Sequence, residues 1–354
     1  MNVNRTAHLL SANHVPVYYA GGTNIDRFRR RASSTSGPED WVGSVSALPG
    51  ALLPPGAPTD VGVSRLDDGR SLRTLVREDR AGWLGPDLAR LSFDGEIGLL
   101  VKLLDAGERL PVHAHPDRSF ASKWLNSAFG KTEGWIVMDD APGGDVWLGF
   151  REEVSFQRLQ HWIEEQAVDD MLAGMNRLPA LTGTVFYVPA GVPHAIGSGV
   201  MITELQEPTS FSILAEYKSF GLDERQATLG LGWRDALACF DRTAYSGDRL
   251  AFLQPRPRTM VENPHVRLQR LFDEVAEEFF QALHVEVTGS WQMPRSFAVL
   301  IIECGSGSLR CGAEERTTAA GETWVVPFDA SPVALSGDLR CLVCLPPKSA
   351  GPIG

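Results

Sequence analysis

Two histidine-bearing segments, far apart in the chain, constrain its fold more than any other feature. The first reads His113-Ala114-His115-Pro116, and the second runs over residues 183–194 and ends in His194. In each segment a strand-like run leads to a histidine beside a tight turn. Residues i and i+2 of a strand point to the same face, so His113 and His115 can reach one ion. We therefore expect these two imidazoles and His194 to meet inside a β-barrel as a metal site.

The spacings within these segments resemble the two motifs of the cupin family. Five residues separate Gly107 from His-x-His, and Gly183 is followed by five residues and then by Pro-x-Gly-x-x-His. The second match is the more specific one, because three residue types and their spacings agree at once. The alternative interpretation makes His113 and His115 exposed strand residues and His194 a turn residue. Two independent motifs rarely coincide by chance, which favours the metal site.

Composition limits the classes of partner. The 354 residues carry a formal net charge of −11, which argues against nucleic acid or an anionic membrane. The start of the chain lacks signal-peptide features, and no apolar run has the length of a membrane span. Five scattered cysteines indicate no disulfide framework. Cys341 and Cys344 have CxxC spacing, and we expect them to be buried structural thiols rather than a redox pair. We expect a cytoplasmic protein that binds a small molecule, and the sequence leaves its oligomeric state open.

The pattern of short strands predicts a mostly β chain built of two cupin (jelly-roll) barrels. We place a metal-binding domain at 1–260, with a helical insertion at about 150–180 and a helical segment at about 223–245. Residues 261–354 form the second domain, in which Gly, Pro and Asp turns separate short strands. Within it, residues 321–327 repeat the rhythm of residues 183–189, but no histidine follows. We therefore expect the second barrel to be metal-free.

Local patterns also predict individual elements. Strands are expected at 98–104 and 201–206, and helices at 123–129 and 152–178. In the second domain the glycines around residue 305 predict a turn between two separate strands.

With these residues in view, the chain resembles the type I mannose-6-phosphate isomerases, a zinc cupin family. The likeness covers about residues 15–210 and rests on four stretches. These are 19–23 with Pro38-Glu39-Asp40-Trp41, 110–121, 130–135, and 185–197 with 203–206.

The resemblance implies a set of metal ligands. The zinc histidines of the family fall on His115 and His194, and its zinc glutamate falls on Glu133. Where the family usually has Gln two positions before the first histidine, this chain has His113. The resemblance implies one Zn²⁺ ion, with Fe²⁺ or Mn²⁺ as alternatives, because these ligand types alone do not select the metal.

A second departure concerns the substrate. The family normally has a Tyr-Arg pair after the Glu-x-Gln strand, and its Arg is regarded as a catalytic residue or as a partner of the sugar phosphate. Ile213 and Leu214 occupy that place here. Lys218 is the nearest candidate for substrate binding, although Lys and Arg are not interchangeable for bidentate phosphate contacts. Whether the sugar must be phosphorylated stays open.

The implied activity is aldose–ketose isomerisation through an enediol, between mannose 6-phosphate and fructose 6-phosphate or related sugars. Such a reaction needs a cation, a base and exclusion of water. Lys131 shares a strand face with Glu133 and is the first catalytic and substrate-binding candidate. Glu204 is the candidate base, and Trp41 is expected to wall the sugar face. The simpler interpretations are a solvated Lys131, an ion-paired Glu204 and a core Trp41.

Two other functions remain open at this stage. Three His and one Glu around iron form a familiar dioxygenase set, so a cupin dioxygenase is the first alternative. The missing Arg favours the second, a sugar-binding regulator without catalytic activity.

Overall fold

The computed structural model describes residues 6–31, 37–53, 56–90, 96–139, 144–330 and 332–348. Within them, strands dominate and pair antiparallel in three sheets, of six, five and nine strands. The prediction of a mostly β chain is confirmed. The expected strand 201–206 is present with the same bounds, and all six of its residues are buried.

The six-stranded sheet forms the centre of the molecule. In spatial order its strands are His14–Val15, Glu39–Val42, Leu100–Asp105, Met201–Gln206, Glu133–Asp139 and Val185–Val188. The five-stranded sheet lies across from it. Its strands are Ile213–Leu214, His113–Ala114, His194–Ile196, Asp145–Phe150 and Met175–Pro179. Apolar side chains of both sheets, such as Trp135, Ile202 and Leu148, pack together between them.

The other face of the six-stranded sheet packs on the C-terminal part of the chain. Val101, Leu103 and Leu205 share one buried cluster with Val299 and Leu342 of the nine-stranded sheet. That sheet comprises His8–Leu10, Thr323–Val326, Ala298–Cys311, Val333–Leu345, Gln281–Val287, Val266–Arg270, Arg258–Asn263, Ser290–Met293 and Glu314–Ala319. Its strand His8–Leu10 comes from the N-terminal region, so residues 261–354 alone do not make up this sheet. The proposed boundary at residue 260 stays a prediction.

Short helices cover the edges of these sheets. The α-helices are Asn24–Phe28, Leu72–Glu78, Arg80–Leu84, Pro86–Ala89, Arg118–Leu125, Phe156–Glu165, Val168–Gly174, Glu224–Ala227, Trp233–Ala236 and Gly247–Phe252. The 3₁₀ turns are Gly50–Leu52, Lys218–Phe220, Leu237–Cys239, Glu274–Glu278 and Phe328–Ala330. Among the described helices, none is long and apolar enough to cross a membrane.

Two predicted helices differ from the structure. The helix expected at 123–129 lies at Arg118–Leu125, because the Asp117 carboxylate accepts a hydrogen bond from Phe120 N and starts it earlier. The helix expected at 152–178 is two helices followed by the strand Met175–Pro179. The break falls at Gln166, which adopts a left-handed conformation with φ of 50°.

The glycines near residue 305 serve close packing rather than a turn. A single strand, Ala298–Cys311, replaces the two strands that we expected. A side chain on Gly307 would place its Cβ 2.0 Å from the carbonyl oxygen of Ser336 on the neighbouring strand. Gly305 would clash in the same way with Asp338 O, at 2.1 Å. The glycines therefore allow strand pairing to continue past this point.

Candidate active site

The structure brings the three predicted histidines together between the five- and six-stranded sheets. His113 and His194 are direct partners on neighbouring antiparallel strands, with ring centroids 4.0 Å apart. The His115 ring lies 4.8 Å from each of them. One ligand atom from each of the three side chains lies within 4.8 Å of the others, and all three are buried. This arrangement could hold a metal ion.

A hydrogen bond links the two histidine motifs. Gly191 adopts a φ of +87°, which favours glycine, and its N–H donates to the carbonyl oxygen of His115 at 2.7 Å. The Pro-x-Gly turn is thus tied to the His-x-His segment. This explains why the second motif needs a glycine three residues before His194.

Backbone contacts orient each imidazole. The Nδ1 atoms of His113, His115 and His194 lie 2.7, 2.7 and 2.8 Å from the carbonyl oxygens of Pro111, Phe211 and Val192. A carbonyl only accepts, so each Nδ1 carries the proton and each Nε2 presents a lone pair. Burial lowers the pKa of all three imidazoles, which keeps them neutral.

Glu133 adds a carboxylate to this group. Its Oε1 lies 2.9 Å from His115 Nε2, and its Oε2 lies 3.8 Å from His194 Nε2. Trp135 Nε1 donates a hydrogen bond to Oε2 at 3.0 Å. Lys131 Nζ contacts Glu133 Oε1 at 2.7 Å and His115 Nε2 at 3.0 Å. The structure thus places Lys131 and Glu133 next to His115.

This donor set fits a divalent cation. His115 Nε2 and Glu133 Oε1 are both acceptors that lie 2.9 Å apart in a buried site, and the Lys131 ammonium contacts both of them. In the described part of the chain, the buried His194 Nε2 has no hydrogen-bond partner. Neutral imidazoles and a carboxylate are the ligand types that Zn²⁺, Fe²⁺ and Mn²⁺ share.

A second group of polar residues lies beside the first on the six-stranded sheet. Trp41, Lys102, Glu204 and Trp135 are successive cross-strand neighbours at one level of the sheet. Lys102 Nζ lies 3.4 Å from Glu204 Oε2 and 3.3 Å from Glu39 Oε2. Burial alone would lower the pKa of Lys102, but the carboxylates of Glu204 and Glu39 outweigh it and raise that pKa. Lys102 is therefore a buried ammonium ion held by two carboxylates.

Glu204 has a perturbed environment of its own. Burial, and then the negative charge of neighbouring Glu133, raise the pKa of Glu204 to about 8, while Lys102 opposes the shift. Two carboxyl groups in contact cannot both ionise readily in a buried site. Such an environment is typical of acid–base groups in enzymes.

Both groups open into one cavity of about 400 Å³, a size that suits a small molecule. Its polar walls include His113, His194, Lys131, Glu133, Glu204, Lys102, Glu39, Tyr18, Tyr19, Ser210, Ser212 and Gln226. Much of the remaining wall is apolar and includes Trp41, Leu48, Leu52, Leu53, Leu110, Leu214, Leu222 and Leu229.

Most of the predicted site residues line this cavity, whereas His115 and Lys218 are not among its wall residues. Lys218 is exposed, with its Nζ 5.8 Å from the centroid of the Tyr217 ring. We leave it out of the site. Sequence reasoning missed Lys102 and Glu39. A lysine inside the apolar run 99–104 was a signal for the first, since an unpaired lysine is rarely buried.

Comparison with known proteins agrees with the motifs. No protein-family model matches the chain. A mannose-6-phosphate isomerase of Streptococcus mutans is 29% identical over 248 residues, which cover 69% of this chain and 72% of that protein. One of Bacillus subtilis is 24% identical over 253 residues, or 69% of this chain and 74% of that protein.

Solved structures show the same fold over nearly the whole chain. The mannose 6-phosphate isomerase of Bacillus subtilis superposes with a TM-score of 0.74 at 21% identity, covering 96% of this chain and 99% of its own. That of Salmonella typhimurium superposes with a TM-score of 0.70 at 15% identity, with the same coverage. The predicted cupin fold is confirmed, and the chain is a divergent relative of the mannose-6-phosphate isomerases.

Proposed function

We propose that this protein is a metal-dependent aldose–ketose isomerase of small sugars. The relatives are named for mannose 6-phosphate, and the ketose that corresponds to mannose is fructose, so mannose and fructose, free or phosphorylated, are the first substrates to test. The observation that carries the proposal is the arrangement of the cavity. A His and Glu donor set lies directly beside the buried Lys102–Glu204 pair, and both face the same small chamber.

Four side chains would hold the metal: His113, His115, His194 and Glu133. Zn²⁺ is our first choice, with Fe²⁺ or Mn²⁺ as alternatives. A divalent ion bound there would act as a Lewis acid on the C1 and C2 oxygens of the sugar. Trp135 supports this role, because its indole N–H fixes one oxygen of Glu133.

The protein's own residues would move the protons. Isomerisation transfers a proton between C1 and C2, and Glu204 is the group that we assign to this transfer. Lys102, held between Glu204 and Glu39, would donate hydrogen bonds to the substrate oxygens as charge develops on them. Lys131 would do the same from the side of Glu133. Trp41, which is 1% exposed, would close one wall of the chamber against water.

The two alternative functions are less well supported. A cupin dioxygenase would use the same ligand types, but the named relatives and structural neighbours are isomerases. A regulator without activity would have no use for the buried acid–base pair of Glu204 and Lys102.

A coupled assay for fructose or fructose 6-phosphate tests the proposal. We expect turnover by the metal-loaded protein and a loss of about 10²–10⁴-fold in kcat in Glu204→Gln. Glu303→Gln is the matched control, because Glu303 pairs with His284 and Arg340 in the nine-stranded sheet. If the metal-loaded wild type isomerises none of the four sugars, the proposal is wrong.

A further inference from the structure

The cavity is poor in available positive charge. Among its described wall residues, the Lys and Arg side chains are Lys102 and Lys131, and the two wall histidines are assigned to the metal. Both lysines are already in ion pairs, Lys102 with Glu39 and Glu204 and Lys131 with Glu133. Three wall carboxyl groups therefore face two ammonium groups, so the protein part of the site has no surplus of positive charge.

Leu214 lines the chamber at the place where the resembled family has its Tyr-Arg pair. It is the direct antiparallel partner of His113 and lines the cavity on the same side of the sheet. Leu214 is 3% exposed, so it presents a buried apolar surface. Leu48, Leu222 and Leu229 extend this surface along the wall.

Nearby arginines serve other partners. Arg109 makes two hydrogen bonds of 2.6 Å to Glu216, and Arg118 binds Glu207 at 2.6 Å. Neither is among the described wall residues. Of the residues that the structure does not describe, only Arg5 is basic.

The helix N-terminus that contributes Gln226 to the wall is capped by an acidic residue. Gln226 lines the cavity from the helix Glu224–Ala227. Its backbone N–H donates to the Asp223 carboxylate at 2.8 Å, and its side chain accepts from Asp223 N at 3.0 Å. An acidic capping box here repels a phosphate rather than binding it.

We infer that the sugar that this site takes is uncharged and carries no phosphate group, an inference that rests on the isomerase function proposed above. A phosphate monoester has close to two negative charges at neutral pH and needs charged or N–H donors when it is buried. The chamber instead offers the neutral hydroxyls of Tyr18, Ser210 and Ser212, which suit sugar hydroxyl groups. The proposed metal ion would be engaged by the oxygens at C1 and C2.

Binding of two polyols tests this inference separately from catalysis. Sorbitol and sorbitol 6-phosphate resemble the open-chain sugar and cannot be isomerised. In calorimetric titrations of the metal-loaded full chain, the Kd for sorbitol should be equal to or lower than the Kd for sorbitol 6-phosphate. A Kd for sorbitol 6-phosphate lower by about tenfold or more, or no binding of sorbitol, would overturn the inference.

A substitution at Leu214 provides the positive test. Leu214→Arg should tighten binding of sorbitol 6-phosphate by about tenfold, through a bidentate contact with the phosphate, and leave sorbitol unchanged or weaker. Leu214→Met, which keeps the volume without charge, should bind both polyols as the wild type does.

Kinetics with mannose and mannose 6-phosphate separate the proposed isomerase function from the inferred neutral substrate. Turnover of mannose with kcat/KM equal to or above that of mannose 6-phosphate supports both. If sorbitol binds as expected but neither sugar is isomerised, the proposed function fails and the neutral ligand class stands. If mannose 6-phosphate is preferred and sorbitol 6-phosphate binds more tightly, the isomerase stands and the neutral substrate is wrong.

Discussion

His113 and His194 face each other across one antiparallel strand pair, although 80 residues of sequence separate them. Their rings come within 4.0 Å, and the Nδ1 atom of each is fixed by a carbonyl two residues earlier in its own strand segment. The two side chains are thus presented in the same way by two different strands. A site built on paired strands, rather than on loops, holds its ligands rigidly.

Trp135 should contribute to metal affinity without being a ligand. Removing its indole N–H in Trp135→Phe leaves one Glu133 oxygen without its donor, and metal affinity should fall by about 10–100-fold. A chelator competition titration measures this. Trp324→Phe is the matched control, because it removes a similar buried hydrogen bond, to Thr318, in the nine-stranded sheet. Equal metal affinity in the two variants would contradict this role of Trp135.

Glu39 should act on catalysis through Lys102. Glu39→Gln removes one of the two carboxylates that hold the Lys102 ammonium, so the lysine should lose its position beside Glu204. We expect kcat to fall by on the order of 10²-fold while the bound metal, measured by elemental analysis, stays at the wild-type level. Loss of the metal in this variant would mean that Glu39 supports the metal site instead.

Arg29 should stabilise the junction between the N-terminal region and the nine-stranded sheet. Its side chain is 4% exposed, pairs with the fully buried Asp40 at 2.6 Å and donates to Thr323 Oγ1 at 2.8 Å. Arg29→Ala leaves Asp40 as a buried, uncompensated charge and should lower the free energy of unfolding by about 3–5 kcal/mol. Urea unfolding measures this change.

The control for Arg29 is an exposed pair. Arg65 and Asp60 are an ion pair at the surface, so Arg65→Ala should change the free energy of unfolding by at most about 1 kcal/mol. A similar small change in Arg29→Ala would show that its ion pair is not important for stability.

The cysteines should behave as structural thiols. Cys239, Cys311, Cys341 and Cys344 are buried and Cys304 is exposed, and none is in a disulfide. In the native protein one thiol should react rapidly with Ellman's reagent, and all five should react after denaturation. Rapid reaction of Cys341 and Cys344 in the folded protein would favour the redox pair that their spacing suggests.

The sequence allowed the histidine site and the barrel fold to be predicted because both depend on local spacing. His-x-His and Pro-x-Gly-x-x-His determine which side chains share a strand face and where the chain turns. Glu39 and Lys102 could not be found in this way. They become neighbours of Glu204 only through the register of three strands, and that register depends on pairing across the whole sheet.

The errors have equally specific causes. Gly305 and Gly307 suggested a turn, whereas they allow close strand contact with Ser336 and Asp338. Lys218 comes shortly after the place of the missing Arg in sequence, but it lies in the 3₁₀ turn Lys218–Phe220 and is exposed. Composition alone cannot distinguish a glycine that turns the chain from one that permits close packing.

Anomalous diffraction from crystals of the metal-loaded protein, recorded at the absorption edge of the bound metal, would test the proposed site most directly. We predict a single strong peak about 2.0–2.2 Å from the Nε2 atoms of His113, His115 and His194 and from a carboxylate oxygen of Glu133. A peak elsewhere in the molecule, or a loaded protein with no peak between these four side chains, would contradict the proposed metal site and the chemistry that depends on it.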